Sequence, residues 1–534
     1  MLLAKLLEAS SIGILMGAMI SDSAVKKAEE FLRVAHDFHL GDLPTESRHP
    51  LTYELADLSQ NNIPEALKIL KNIEIGVVEK IIAREEQIQA LANSIHDCLS
   101  RGHRVFIYGC GATGRLALSL EYLWRFVHEQ MPDRVNRVTG FMSGGDLALI
   151  HSIEHFEDHP EWGARQLKEI GFHEGDLLVS CTEGGETPSV IGATEEAIHY
   201  SSRSPWFLYC NPDDVLRTQV ERSRKVLTNP LIHKLNLYVG PMSISGSTRL
   251  QATTALMLAL GSAMLRDSSA DFPRLDFVGY VEFLKNLDLN FLQAFVEKES
   301  AAYHAQEHVI YETQHYGIPI LTDTTERSPT FSLPGFENLL DAQKKHSLCY
   351  LSIPTAKTAK EAWKKVLLRE PKTLEWTELS GLASSHRLHG FDFSYGVKAR
   401  RESSSQITQR VFSIDRIGNS LKMQFEDQQE LLDISSLHPL CEHVFLKFLL
   451  NVQSALVMGR IGRFESNVMT WVKPSNRKLI DRAIRYVEYL LIHNDITNYS
   501  YKEIAHQLFA EREHLKPDES VVLKTVESFK ARLK

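Results

Sequence analysis

A chain of 534 residues, 43% hydrophobic and 24% charged, has the make-up of an ordinary globular protein. Such a length supplies about two to four domains. A net charge of −9 and a pI near 6.2 exclude a broad basic surface for nucleic acid or for an anionic membrane.

The six cysteines, Cys98, Cys110, Cys181, Cys210, Cys349 and Cys441, are scattered, with no CxxC pair and no histidine cluster. That spread argues against a zinc site or a disulfide framework, so a reduced, cytoplasmic compartment and no metal are expected. The apolar stretch Ile12–Ile20 is too short to span a bilayer, and residues 1–58 are read as an N-terminal extension.

From Ser59, apolar residues recur at helical spacing through Ile63, Leu67, Leu70 and Ile73, then Val77, Val78, Ile81 and Ile82, then Ile88, Leu91 and Ile95. Gly76 is placed as a break, and Gly102 as a C-terminal cap. Apolar runs follow at Val105–Tyr108, Val138–Met142, Leu177–Cys181, Trp206–Cys210 and Leu235–Val239, with helix-like stretches between them. The alternation predicts a parallel sheet covered by helices on both faces, with the ligand site at the C-terminal ends of its strands. A core helix is expected from Ser247 to Leu265.

Beyond it, helical patterns cover Val281–Tyr311, and a strand is expected at Ile318–Thr322, ending in Asp323-Thr324-Thr325-Glu326-Arg327. Further apolar runs lie at Leu348–Ile353 and Val411–Ile414, and Asp415–Gly418 and Asp427–Glu430 read as polar breaks. A long helix covers roughly Cys441–Gly459, and only helices are expected after Asn476. The domain boundaries expected are 59–270, 271–475 with a degenerate second site, and a lid-like helical segment at 476–534.

Four loops carry the chemistry. The first, Gly109-Cys110-Gly111-Ala112-Thr113-Gly114-Arg115, follows a strand and opens a helix, where free backbone N–H groups suit an anion. It also matches the GxGxxG dinucleotide fingerprint, but no acidic residue closes a second strand about 20 positions later, so no cofactor is expected. The second is Ser143-Gly144-Gly145-Asp146, followed by Glu154 and Glu157-Asp158. The third is Thr182-Glu183-Gly184-Gly185-Glu186-Thr187-Pro188, and the fourth is Ser245-Gly246-Ser247-Thr248-Arg249. Hydroxyls and N–H groups at successive strand ends coordinate phosphate oxygens. The candidate ligand residues are Gly111, Thr113, Gly114, Thr182, Gly184, Thr187, Ser245, Ser247, Thr248 and Arg249, with the carboxylates Glu154 and Glu157 placed beside them for the rest of the ligand.

With GCGATGRLAL, SGGDLALIHSIEHFED, TEGGETPSVIGA, Cys210-Asn211-Pro212, GPMSISGSTRLQATTAL and the upstream HPLTYELADLS, the chain resembles the SIS (sugar isomerase) domain family. The branch is the one shared by N-acetylmuramic acid 6-phosphate etherase and glucokinase regulatory protein. LKFLLNVQSALVMGRIGRFESNVMTWVKPSNRKL extends the resemblance to a second domain.

The resemblance implies an α/β fold of two doubly wound parallel-sheet domains plus a C-terminal helical segment. It also implies a sugar-phosphate ligand, of the fructose phosphate or N-acetylmuramic acid 6-phosphate type. By resemblance Glu157 matches the etherase base, while the acid position holds Leu123, which cannot donate a proton. Glu121, two residues away, points about 200° round the helix. Gly184 stands where the etherases carry serine, and Glu186 adds a charge expected to repel phosphate. Lys447 matches the lysine that the regulatory protein extends from its second domain to the sugar phosphate. The leading expectation is a non-catalytic regulator with a sugar kinase as partner. The alternatives are an etherase-like lyase and a dinucleotide-binding enzyme.

Overall fold

The computed structural model describes residues 20–35, 41, 43–153, 155–266, 271–474, 477–516 and 518–533. The N-terminal apolar stretch, apart from Ile20, lies outside the described residues.

Two five-stranded sheets organise an α/β fold. The first contains β1 (Val105–Gly109), β2 (Val138–Met142), β3 (Leu177–Cys181), β4 (Trp206–Tyr209) and β5 (His233–Asn236), in the order β2-β1-β3-β4-β5. All of its pairs are parallel. Strands β1, β3 and β4 are buried along their whole length, which is why they read as continuous apolar runs. Their alternate side chains feed two cores. Val105, Ile107 and Val179 meet the helices Glu85–Ser100, Ala112–Val127 and Gln251–Leu265. Phe106, Tyr108 and Leu178 meet Pro160–Glu169 and Pro188–Tyr200 on the other face.

The second sheet contains β6 (His308–Glu312), β7 (Cys349–Ser352), β8 (Gln409–Ile417), β9 (Ser420–Phe425) and β10 (Gln428–Asp433), in the order β10-β9-β8-β6-β7. Strand β6 pairs parallel with β7 and β8, while β9 and β10 add an antiparallel meander. The expected polar breaks at Asp415–Gly418 and Asp427–Glu430 lie mostly within β8 and β10, with only Gly418 and Asp427 in the turns of this meander.

Three expectations need correcting. Ile318–Thr322 is helical, within Gly317–Phe331, and the strand of that region is β6, inside a stretch read as helix. Both elements are buried on nearly every side, so neither displays a period that would separate helix from strand. Asp323–Arg327 therefore sits within a helix rather than in a loop at a strand end. Gly76 lies inside one unbroken helix, Ile63–Ile82.

The helix Pro439–Arg460 is apolar and long enough to cross a membrane, but it is packed inside the molecule, against Gln251–Leu265 and Leu292–His304. It joins the two halves. At the far end, the helix Asp22–Leu32 docks on the C-terminal helix Tyr501–His514, with the Phe31 and Phe509 rings 6.2 Å apart. Glu29 meets Lys502 and His506, each at 3.1 Å.

Candidate functional site

A cavity of about 680 Å³ opens beyond the C-terminal ends of β1 and β2. That volume suits a small-molecule ligand, and the position, outside the carboxyl ends of the strands, is where open α/β sheets bind their ligands. Three parts of the chain wall it. Cys110, Gly111, Ser143, Glu157 and Gly246–Arg249 come from the first sheet. Glu326 and the stretch from Ser328 to Gly335 come from the end of the helix Gly317–Phe331 and beyond it. Met469, Val472, Lys473, Leu479 and Arg482 come from the C-terminal segment.

The loop after β1 folds as its glycines require. Gly111 has φ +56°, and a Cβ on Gly114 would stand 2.5 Å from that of Met142, so the helix Ala112–Val127 packs hard against β2. Thr113 is buried, and its hydroxyl donates to the Cys110 carbonyl at 2.9 Å while accepting from the Cys110 N–H. It braces the loop from within. Glu157 faces the cavity, with the Cys110 thiol 3.9 Å from its carboxylate. Glu154 lies outside the described residues.

The third loop stays apart from the cavity wall. Thr182 and Thr187 share a hydroxyl–hydroxyl hydrogen bond of 2.9 Å, and the Gly184 carbonyl accepts from the Asn211 amide at 3.0 Å. Glu186, expected to repel phosphate, is paired with Arg222.

The fourth loop carries the open donors. The helix Gln251–Leu265 has Leu250 at its N-cap position and takes no side-chain cap, so neither Ser247 nor Thr248 is spent on capping. Ser247 is 4% exposed and its hydroxyl has no hydrogen-bond partner. Arg249, also 4% exposed, donates through Nη1 to Asp323 at 2.9 Å and Ser454 at 3.1 Å, while Nε and Nη2 have no partner. Burial pushes its pKa down, and Asp323 opposes that shift. Asp323 in turn accepts from Arg327, which also holds Glu299, so the site's arginine is wired into the second half. Ser245 instead donates to the Glu46 carbonyl at 2.6 Å.

Lys447 crosses from the second half to the first, donating to the Thr254 hydroxyl at 3.0 Å and the Leu250 carbonyl at 3.3 Å. Its head does not reach the cavity wall. Burial pushes its pKa down to about 8, against the pull of Glu74. Leu123 is buried among apolar side chains. Burial would raise the pKa of Glu121, but Arg369, Lys372 and Arg125 outweigh it and hold the carboxylate below its usual range.

The sequence reading missed Glu326, Lys473 and Arg482, which reach the cavity from far along the chain. Arg482 is braced by Glu46, with contacts of 3.0 and 2.6 Å. No local motif marks these residues. Among the described residues, no group of three or more His, Cys, Asp or Glu could hold a metal ion.

The family model for the glucokinase regulatory protein N-terminal SIS domain matches residues 85–198, which include β1, β2 and β3 with their loops. Residues 85–198 thus carry an SIS domain. Relatives of its SIS domain include the N-acetylmuramic acid 6-phosphate etherase of Streptomyces avermitilis, 31% identical over 225 residues, 41% of this chain and 65% of that protein. The etherase of Mycolicibacterium smegmatis is 31% identical over 216 residues, 40% of this chain and 66% of that protein. The chain thus spans just under two thirds of the length of these relatives. Among solved structures, the tagatose-6-phosphate ketose/aldose isomerase of Escherichia coli aligns with a TM-score of 0.40 and 10% identity. That alignment covers 76% of this chain and 95% of the isomerase.

Proposed function

We propose that the cavity binds a sugar phosphate, its phosphate on Ser247 and Arg249 and its sugar toward Glu157. One observation carries the reading: Ser247 Oγ and Arg249 Nε and Nη2 are buried donors without partners, on a cavity wall at an uncapped helix N-terminus. A buried donor left unmade costs about 1–3 kcal/mol, so an anion that reaches these donors is favoured. The N-terminal end of the helix dipole adds to the attraction. The kinship with etherases of N-acetylmuramic acid 6-phosphate supports a phosphorylated sugar as the ligand class.

The protein holds this ligand without fast turnover, as a regulator whose partner is a sugar kinase. Ether elimination needs a base and an acid on opposite sides of the substrate. Glu157 is available as base, but Leu123 stands at the family's acid position and Glu121 is held by three cations. The competing reading, an etherase-like lyase, is favoured by the named relatives and by Glu157 lining the cavity.

Incubation with N-acetylmuramic acid 6-phosphate separates the two. Losing a general acid lowers a rate by about 10²–10⁴, so lactate release is expected to be slow or absent while fructose 6-phosphate or the amino-sugar phosphate still binds in titration. Enzyme-like turnover that disappears in Glu157→Gln would establish the lyase instead. Failure of every sugar phosphate to bind would remove both.

A further inference from the structure

A strap from the second half grips the first sheet's loops from outside the cavity. It follows the helix Ala359–Leu367 and runs from Arg369 to Ala383. Arg369 donates to Glu121 at 2.9 Å and to Asp146 at 3.2 Å. The Lys372 N–H reaches Asp146 at 2.6 Å, and the Asp146 N–H returns to the Lys372 carbonyl at 2.9 Å. Lys372 Nζ adds bonds of 3.0 Å to Glu121 and to the Gly140 carbonyl. Further along, the Trp376 ring stacks on Phe156 at 5.7 Å and its indole N–H donates to Glu169 at 2.6 Å. Phe156, Leu374, Trp376, Leu379 and Ala383 form a small apolar core of their own.

The same stretch of the first half therefore has two faces. Ser143, Ala148, Phe156 and Glu157 line the cavity, while Asp146 and Phe156 are held by the strap. Glu121 and Asp146 are each 1% exposed. Buried carboxylates are costly unless paired, and for Asp146 the cation comes from the strap. The loop that presents Glu157 is thus incomplete without residues more than 200 positions later.

We propose that Arg369, Lys372 and Trp376 form a positioning strap by which the second half fixes the first half at Asp146 and Phe156, and so sets the cavity's grip on its ligand. The proposal rests on the sugar-phosphate reading for its ligand, but not for the strap itself. Loop placement of this kind changes affinity without touching the ligand.

The test uses Trp376→Leu, which keeps an apolar side chain but removes the stack and the indole N–H, together with Arg369→Lys, which keeps the charge and loses the fork. Two measurements are made on the full chain: backbone hydrogen exchange without ligand, and titration with fructose 6-phosphate and N-acetylmuramic acid 6-phosphate. Trp376→Leu is expected to speed exchange across residues 143–158 while leaving 177–200 protected, and to weaken binding about 3- to 30-fold. Arg369→Lys should fall between it and the wild type. Unchanged exchange at 143–158 in folded Trp376→Leu would overturn the strap, and so would a rise spread equally over 177–200, which marks general destabilisation. Wild-type affinity alongside loosened exchange would overturn its role in ligand grip. A wild type that binds neither probe would sink the sugar-phosphate reading, and the exchange measurement would still decide whether the strap holds the loop.

Discussion

The C-terminal ends of β1 and β6 are built alike and finished differently. After β1, Cys110 and Gly111 lead straight into the helix Ala112–Val127, and the cavity opens beside them. After β6, four residues without glycine, Thr313 to Tyr316, lead into the helix Gly317–Phe331. There the Asp415 carboxylate, from β8, accepts the backbone N–H groups of Gln314 and His315, both at 3.1 Å, and contacts the His315 ring. The protein has supplied its own anion where a ligand's would dock. Burial and the nearby Asp415 raise the pKa of Glu312 as well, a sign of crowded negative charge at that end. A sheet edge becomes a binding site by leaving donors open, and it becomes scaffold by closing them.

The strongest challenge to this contrast is Arg249→Met. It removes one of the two cations on Asp323 and leaves that carboxylate to Arg327 and Ser454, so unfolding in denaturant should show a loss of about 1–3 kcal/mol, and titration should show no sugar-phosphate binding. Stability close to wild type would mean that the pair is not the joint between the two halves.

Ser247→Ala separates binding from folding, because that hydroxyl holds nothing in the free protein. A lost hydrogen bond to a charged group is worth about 1.5–3 kcal/mol, so affinity should fall roughly 10- to 150-fold with little change in melting temperature. Equal affinity in calorimetry would refute the assignment of the first site.

Asp415→Ala attacks the other end. Releasing those N–H groups resembles loss of a helix cap and should lower stability by about 0.5–2 kcal/mol. Sugar-phosphate binding should stay at one equivalent per chain. A second equivalent would show that β6 ends in a latent site and that Asp415 alone blocks it.

The last test, a change of slope with pH rather than a loss of binding, belongs to Lys447. Its folded pKa of about 8 lies below the ordinary 10.5, so between those values the unfolded chain binds a proton that the native chain has released. Through this group, stability rises as pH rises across that window, and below it the buried charge is a standing cost. Lys447→Met should flatten the rise in melting temperature between pH 8 and 10.5. An unaltered pH profile would mean that the ammonium is solvated in the folded protein.

The first end was legible because its chemistry is local: a strand, two glycines and a hydroxyl fall within a few consecutive residues. The far wall was not, since Glu326, Lys473 and Arg482 share only a place in space. The helix Gly317–Phe331 was misread because Asp323 and Arg327 are as buried as Ile318 and Leu321, which erases the polar face that marks a helix. Asp323 and Arg327 pair with each other, and their remaining partners, Arg249 and Glu299, are invisible at the level of local pattern. Lys447 shows the limit of resemblance. Alignment gives its place on the long helix, while the distances put its head on Thr254 and Leu250.

The docking of Asp22–Leu32 on Tyr501–His514 also sets a timetable for synthesis. Ser21 bonds Glu513, which is 492 positions later. At about 5–20 residues per second, some 25–100 s of translation separates the two. Throughout that interval Ala24, Ala28 and Phe31 lack their docking helix, and Glu46 waits for Arg482. Contacts of such sequence separation fold slowly. The first sheet can assemble as soon as its strands are made, but the cavity lacks its last wall until Lys473 and Arg482 have been synthesised. Ligand competence therefore comes late in synthesis, set by the far wall rather than by the loops that the sequence makes first.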